Sequence, residues 1–380
     1  MMRILVLDQY GEIGGAQRCL LDAVAGFRKH EWEVHAGVPE GDLFNRLGPL
    51  CNRIAPIPSG PFRAARKTAL DCVRFLAQMP AQVRTIRGLL RAAHFDAVYV
   101  NGPRLMPAAA IAHGSTPVIF HAHNVVAGRG ASKAVHKALC YSGAAVIASS
   151  KFVAQSLVGT GGAIRVIPNG VPPCAVPRNA RNGTLTVAVL GRIAPEKGQL
   201  GFVRAAAIAR VLFANARFVV AGAPMFADRA YFEQVRDAAE HAGVELTGWI
   251  ANPNVFLSSI DLLVVPSGPI DATPRVILEA HAALVPVLAF ACGGIPELIE
   301  DGETGILVRE HSPEALARAI AAAVSNRSEL ARMAARALDR WRREFTLARF
   351  QENVCAAIQE TVERRHHRKP LARAGAMVEA

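Results

Sequence analysis

Residues 261–308 read DLLVVPSGPIDATPRVILEAHAALVPVLAFACGGIPELIEDGETGILV. LLVV is a short unbroken apolar run, the mark of a strand buried on both faces of a parallel sheet. Pro274 then opens a helix that carries Glu279 in its second turn. VLAF gives a second buried strand, Gly293 and Gly294 a turn, and ILV a third strand. Strands alternating with a helix at this density predict a parallel sheet flanked by helices.

The same alternation extends outward in both directions. Strands are predicted at 3–7, 33–38, 53–57, 95–100, 118–121, 144–148 and 164–167. The polar, proline-bearing stretch 174–183 interrupts the pattern, which restarts at 185–190, 218–221, 244–249, 262–265, 287–290 and 306–308. After Ser312 the chain reads as helical to about Arg365 and is basic to Arg373. No short repeat occurs; what repeats is the βα unit. The expected organisation is therefore α/β, with a first domain at 1–173, a linker at 174–183 and a second domain at 184–345. A C-terminal helix at 346–366 would pack back towards the first domain, and 367–380 would form a basic, flexible tail. A length of 380 residues fits two cores better than one.

With 51% hydrophobic and 19% charged residues the chain is well cored, which excludes a disordered protein. Its seven cysteines include no CxxC and no metal-ligand spacing, as in a reduced, cytoplasmic protein. No apolar run is long enough for a membrane span, and the N-terminal run is too short for a signal peptide. The net charge of +12 suits an anionic partner: a nucleoside diphosphate, an acidic lipid surface or nucleic acid.

Several side chains stand where a parallel sheet binds ligands, beyond the carboxyl ends of its strands. Gly14 and Gly15 follow the first strand at a helix start, where backbone N–H groups and the helix dipole favour phosphate; a plain tight βα turn has the same sequence. His123, in HAHN after the fifth strand, is a cleft candidate, and no third ligand cluster supports metal. Arg192 and Lys197, in GRIAPEKG, can converge on one anion, the arginine as a fork and the lysine as a point charge. Asp271 and Glu279 suit either acid/base work or the grip of sugar hydroxyls. Residues 63–91 carry Arg63, Arg66, Lys67, Arg74, Arg84, Arg87 and Arg91 among apolar residues, in a helical block broken at Pro80. That pattern fits an anionic membrane surface and fits an ordinary pair of surface helices equally.

From Gly191 onward the motifs resemble family four retaining glycosyltransferases of the GT-B fold. They are GRIAPEKG, the GW at Gly248, LLVVPS, D-x7-E with LEAHAALVPVLAF, GGIPELI and DGETGILV. GGAQRCL, HAHN, SSKFVAQSL and IPNGV fit the same pattern more loosely in the first half. The resemblance implies two Rossmann-like domains facing across a cleft. It also implies transfer of a sugar, with retention, from a nucleoside-diphosphate sugar to a glycan or lipid-linked acceptor of cell-surface polysaccharide synthesis. Arg192 and Lys197 match the diphosphate pair and Glu279 the ribose-binding glutamate. Asp271 stands in place of the first glutamate of E-x7-E, near the donor sugar. Ala272, Thr273, Pro274 and Arg275 replace the loop that usually begins Gly-Phe-Gly and faces sugar and phosphate. Gly15 would face the phosphate and His123 the sugar. Asp271, His123, Arg192 and Lys197 would thus carry the chemistry. No D-x-D occurs, so the basic pair would replace a metal, and no cofactor is expected beyond the donor substrate.

Two other classes remain open at this point. A GT-B-like sugar-nucleotide epimerase or hydrolase needs carboxylates in the first half, where only Asp8 and Glu12 are obvious. A non-catalytic basic protein is allowed by the charge, but the arginine-rich block lacks the interleaved aromatics of a single-strand nucleic-acid binder, and no nucleic-acid partner is expected. The expected place of action is the cytoplasm, peripheral to the inner face of the membrane.

Overall fold

A computed structural model describes residues 1–60, 69–176, 184–211, 213, 215–224 and 229–367. The start of the basic block (61–68), most of the expected linker (177–183) and the tail from 368 lie outside the described residues.

The N-terminal half runs β1 (Arg3–Asp8), α1 (Gly15–Lys29), β2 (Glu33–Val38), α2 (Asp42–Leu47), β3 (Arg53–Pro56), α3 (Ala69–Ala92), β4 (Ala97–Asn101), α4 (Met106–Ala112), β5 (Val118–Ala122), α5 (Arg129–Ser142), β6 (Ala145–Ala148), α6 (Lys151–Gln155) and β7 (Ile164–Val166). The C-terminal half runs β8 (Thr186–Leu190), α7 (Gln199–Ala209), β9 (Arg217–Ala221), α8 (Arg229–Ala242), β10 (Glu245–Gly248), α9 (Pro253–Leu257), β11 (Leu262–Val265), α10 (Arg275–Ala282), β12 (Val287–Phe290), α11 (Ile295–Leu298) and β13 (Ile306–Val308). Three helices follow: α12 (Pro313–Ser325), α13 (Arg327–Glu344) and α14 (Leu347–His367).

Two parallel sheets result, in the orders β3-β2-β1-β4-β5-β6-β7 and β10-β9-β8-β11-β12-β13. Every strand predicted from an apolar run is present, with its ends shifted by two residues or fewer. The short helices α2, α4, α9 and α11 were not foreseen; each is too brief to show an amphipathic period. Residues after Ser312 form three helices rather than one run. Asn326 accepts from the Glu329 N–H and starts α13, and the chain breaks again at Phe345.

Alternate side chains of β1 enter separate cores. Leu5 and Leu7 pack with Ile86, Leu89 and Met106, while Ile4 and Val6 pack with Leu20, Val24 and Phe27 of α1. That is why the strand reads as continuously apolar. Helix α14 joins the second of these cores through Phe350, Val354 and Ile358. It therefore returns to the N-terminal domain after the C-terminal sheet is complete.

The two passages of the chain between domains run side by side. Val171 N–H donates to Phe345 O at 3.0 Å, and Leu347 N–H to Val171 O at 3.0 Å. A Cβ at Gly170 would lie 2.5 Å from Thr346 O and 2.6 Å from Phe350 Cβ, so only glycine allows this approach.

One expectation fails. Helix α3 continues through Pro80 instead of breaking there. Proline removes one hydrogen bond, to the carbonyl four residues back. Here that residue is Leu76, which is 61% exposed, so the freed carbonyl sits on a turn where water can replace the lost donor.

Candidate active site

Each sheet reverses its strand order once, at β1/β4 and at β8/β11. Such switch points leave a crevice beyond the carboxyl ends of the strands. The two crevices open into one interdomain cleft of about 470 Å³, a volume ordinary for a small-molecule site. Gly15, His123, Arg192, Lys197, Asp271, Thr273, Pro274, Arg275 and Glu279 all line it.

On the C-terminal side β8 leads into a loop and a single 3-10 turn at Pro195–Lys197. Gln199, fully buried at the start of α7, braces this loop. Its Nε2 donates to Arg192 O at 2.8 Å and its Oε1 accepts from Ala194 N–H at 3.3 Å. The Arg192 guanidinium pairs with Glu196. Lys197 Nζ lies 2.6 Å from Asp271 Oδ2. Both cations thus have a carboxylate partner.

Beyond β11, Gly268 N–H donates to Glu196 O at 2.8 Å, tying the two loops together. The Gly-Gly turn sits under the Asp271 loop. Gly294 N–H donates to Asp271 O at 3.2 Å, and a Cβ on Gly294 would lie 1.7 Å from Ala272 O. Helix α10 then presents Glu279, half-buried in the cleft. Among the described residues its carboxylate has no hydrogen-bonding partner.

The Ala272–Arg275 stretch does more than line the cleft. Ala272 is buried in the N-terminal core. Thr273 Oγ1 accepts from Asn169 Nδ2 at 3.0 Å. Arg275 reaches across to α1, 2.9 Å from Asp22 Oδ2 and 3.1 Å from Cys19 Sγ. Burial pushes the Cys19 thiol up despite the guanidinium, so it stays protonated and donates to Asn169 Oδ1 at 3.2 Å. The Arg275 side chain is therefore committed to closing the domains. Glu297 adds a further tie, accepting from the Lys151 and Phe152 N–H groups at 2.7 and 2.8 Å.

On the N-terminal side Gly14 caps α1, with Gln17 Oε1 accepting from its N–H at 3.2 Å. Gln17 Nε2 donates to Asp8, as does Asn101 Nδ2. His123 Nε2 lies 2.7 Å from Asn101 Oδ1. Burial holds His123 down at about 3, and the Asp8 carboxyl up at about 6 against its hydrogen bonds to Asn101, Tyr10 and Gln17. His121 bonds to Tyr99 and is likewise kept neutral by burial.

Asp8 as a buried hub, Asn101, Gln17, Gln199 and Asn169 were not identified as site residues from sequence. One signal was there: RILVLD and AVYVN each end a buried apolar strand on a polar residue.

Residues 13–173 match the family profile described as Glycosyltransferase Family 4, and residues 184–326 the profile described as Glycosyl transferases group 1. The chain belongs to the family 4, group 1 glycosyltransferases. This family 4 chain is 34% identical over 149 residues to the D-inositol 3-phosphate glycosyltransferase of Corynebacterium glutamicum (36% of this chain, 34% of that one). It is 32% identical over 166 residues to the lipopolysaccharide 1,2-N-acetylglucosaminetransferase of Salmonella typhimurium (39% and 44%). The match thus spans less than half the length of these curated relatives. Among solved structures, Anabaena HepE in complex with UDP-glucose superposes with a TM-score of 0.81 at 21% identity, covering 95% of this chain and 100% of that one. The sucrose-phosphate synthase of Thermosynechococcus elongatus gives 0.79 at 19% identity, covering 96% and 100%. At these identities the likeness is one of fold, and the fold of this family 4 glycosyltransferase is GT-B.

Proposed function

We propose that the chain transfers a sugar, with retention of anomeric configuration, from a nucleoside-diphosphate sugar to a glycan or lipid-linked acceptor. The observation that carries this reading is the cleft itself. It joins two switch-point crevices and collects Arg192, Lys197 and Glu279 on one wall, with the α1 N-terminus and a neutral His123 on the other. HepE, which shares the fold, was crystallised with UDP-glucose; that supports a sugar nucleotide as ligand here.

In this reading Arg192 and Lys197 take the diphosphate. Negative charge grows on the departing phosphate as the anomeric C–O bond lengthens. Preorganised cations in a water-poor cleft lower that barrier by several kcal/mol. Glu279 accepts hydrogen bonds from the ribose hydroxyls. Asp271 anchors Lys197 and offers its second oxygen to a sugar hydroxyl. The domain ties through Arg275, Thr273 and Glu297 exclude water and hold the reactants in register.

The hydrolase or epimerase reading is weaker. Asp8, its best carboxylate in the N-terminal half, is fully buried and hydrogen-bonded on several sides, and Glu12 is exposed.

A membrane surface is proposed as partner. Along α3 an open groove of about 510 Å³ is floored by Leu76, Met79 and Val83 and edged by Arg84, Arg87 and Arg91. Among the described residues no helix is long and apolar enough to cross a membrane.

The test is a thermal-shift panel of UDP-, GDP- and ADP-sugars, followed by incubation of the stabilising donor with lipid-linked glycan acceptors. Glycosylated acceptor with the donor's anomeric configuration, seen by NMR, supports the proposal. Free or isomerised sugar formed at the same rate without acceptor points to the hydrolase or epimerase instead.

A further inference from the structure

Asp8 ends β1 and Asn101 ends β4, and the two are paired in register across the switch point. Asp8 is 0% exposed and Asn101 1%. The Asp8 carboxylate accepts from Tyr10 N–H at 2.8 Å, from Gln17 Nε2 at 3.1 and 3.2 Å, and from Asn101 Nδ2. An ionised carboxylate can only accept. Together with Ala16 O, which accepts from Nδ2 at 3.3 Å, it fixes the Asn101 amide with Nδ2 towards Asp8 and Oδ1 away. That oxygen is itself only an acceptor, and its partner is His123 Nε2. The hydrogen of the neutral imidazole must then sit on Nε2. Nδ1 is left as a bare acceptor, buried and, among the described residues, without a hydrogen-bond partner. The same carboxylate orients Gln17, whose other amide atom holds Gly14.

A buried carboxylate is a costly way to fasten two strands that apolar pairs would hold as well. Its connections run instead to the two parts of the N-terminal domain that line the cleft, the glycine turn and His123.

We propose that Asp8, acting through Asn101, is a positioning residue for sugar transfer: it locks His123, which lines the cleft, as the neutral Nε2–H tautomer, an imidazole that cannot donate a hydrogen bond from Nδ1. This rests on the reading of the cleft as the donor site. It excludes His123 as a general acid through Nδ1.

The test uses the full chain with 15N-labelled imidazoles, whose tautomers are read by long-range 1H–15N correlation. The His123 signals are assigned by their loss in His123→Gln. Wild type should show His123 as a single neutral Nε2–H form. Asp8→Asn and Asn101→Ala should each mix or reverse the tautomer and lower kcat about 10- to 100-fold, on the scale known for outer partners of metal-bound histidines, with a smaller change in donor KM. The exchanged pair, Asp8→Asn with Asn101→Asp, again sets a pure acceptor against Nε2. It should restore the tautomer and part of kcat, which a merely structural role does not predict. An Nδ1–H tautomer in wild type, or single variants that leave tautomer and kcat unchanged, overturns the proposal. A changed tautomer with unchanged kcat also overturns it as a device for transfer. Absence of transfer by wild type with the tautomer as described would instead count against the donor-site reading.

Discussion

Lys197 Nζ and Asp271 Oδ2 are 2.6 Å apart, joining the loop after β8 to the loop after β11. Asp271 is thus bonded to a cation of the proposed diphosphate site. The Asp271 loop lies against the Gly293-Gly294 turn, where any Cβ would collide with Asp271 or Ala272 backbone.

Asp271→Asn removes a negative charge beside the phosphate site. The variant is expected to bind bare nucleoside diphosphate at least as tightly as wild type, because an anion no longer opposes it. Transfer should fall about tenfold or more, since the sugar loses a charged acceptor. Calorimetry with the diphosphate, alongside initial rates, checks both. Weaker diphosphate binding would make Asp271 chiefly a support for Lys197.

The Arg275–Asp22 pair spans the two domains at 2.9 Å. Asp22→Asn leaves a nearly buried guanidinium short of its carboxylate, at a cost of about 1.5–3 kcal/mol. Because the pair exists only when the domains are closed, the cost should appear as opening. Small-angle scattering should show a larger radius of gyration and calorimetry about tenfold weaker donor binding, with most of the melting temperature retained. An unchanged radius and affinity would remove the pair from the closure.

Stability should depend on pH in two opposed ways. Burial lowers His123 and His281 to about 3, and lowers His121 well below its ordinary value. Below about 6.5 the unfolded chain binds protons that the native state refuses, so stability falls as pH falls through that window. Asp8, raised to about 6, has the opposite sign. Its contribution is full below about 4 and is lost as pH rises through 6. Three histidines outweigh one aspartate, giving a net loss on the order of 3 kcal/mol per pH unit near pH 5. The stability of Asp8→Asn relative to wild type should rise by up to about 3 kcal/mol between pH 4 and pH 8, because the variant is spared the burial of a charge. Urea titrations of both proteins at the two pH values decide it; equal gains at both would show that Asp8 does not titrate as described.

Arg84, Arg87 and Arg91 edge the α3 groove. Each cation near an anionic bilayer is worth about 1 kcal/mol. Replacing all three by glutamine should lower partitioning to phosphatidylglycerol vesicles on the order of 100-fold and leave neutral vesicles unaffected. Flotation equal to wild type would end the membrane proposal for this face.

The strands were legible because each is an apolar run whose side chains are buried on both faces, as with Leu5 and Val6 of β1 entering different cores. Arg192, Lys197, Asp271 and Glu279 were legible as candidates because they follow such runs, where parallel sheets bind ligands. The Asp8–Asn101 pair was not, because β1 and β4 are not consecutive and no local pattern gives their register. Nor was the turn of Arg275 towards α1, which depends on how closely two separately folded cores approach. The α3 helix passes Pro80 for a reason that exposure decides and sequence does not state.

The central claim is that the interdomain cleft holds a nucleoside-diphosphate sugar with its ribose on Glu279. Calorimetric titration of wild type and Glu279→Ala with UDP-, GDP- and ADP-sugars tests it most directly. At least one donor series should bind wild type, and the variant should bind it about tenfold or more weakly at an unchanged melting temperature, as expected for lost hydrogen bonds to a charged acceptor. Equal affinity in the two proteins, or no binding of any sugar nucleotide by wild type, would contradict the account.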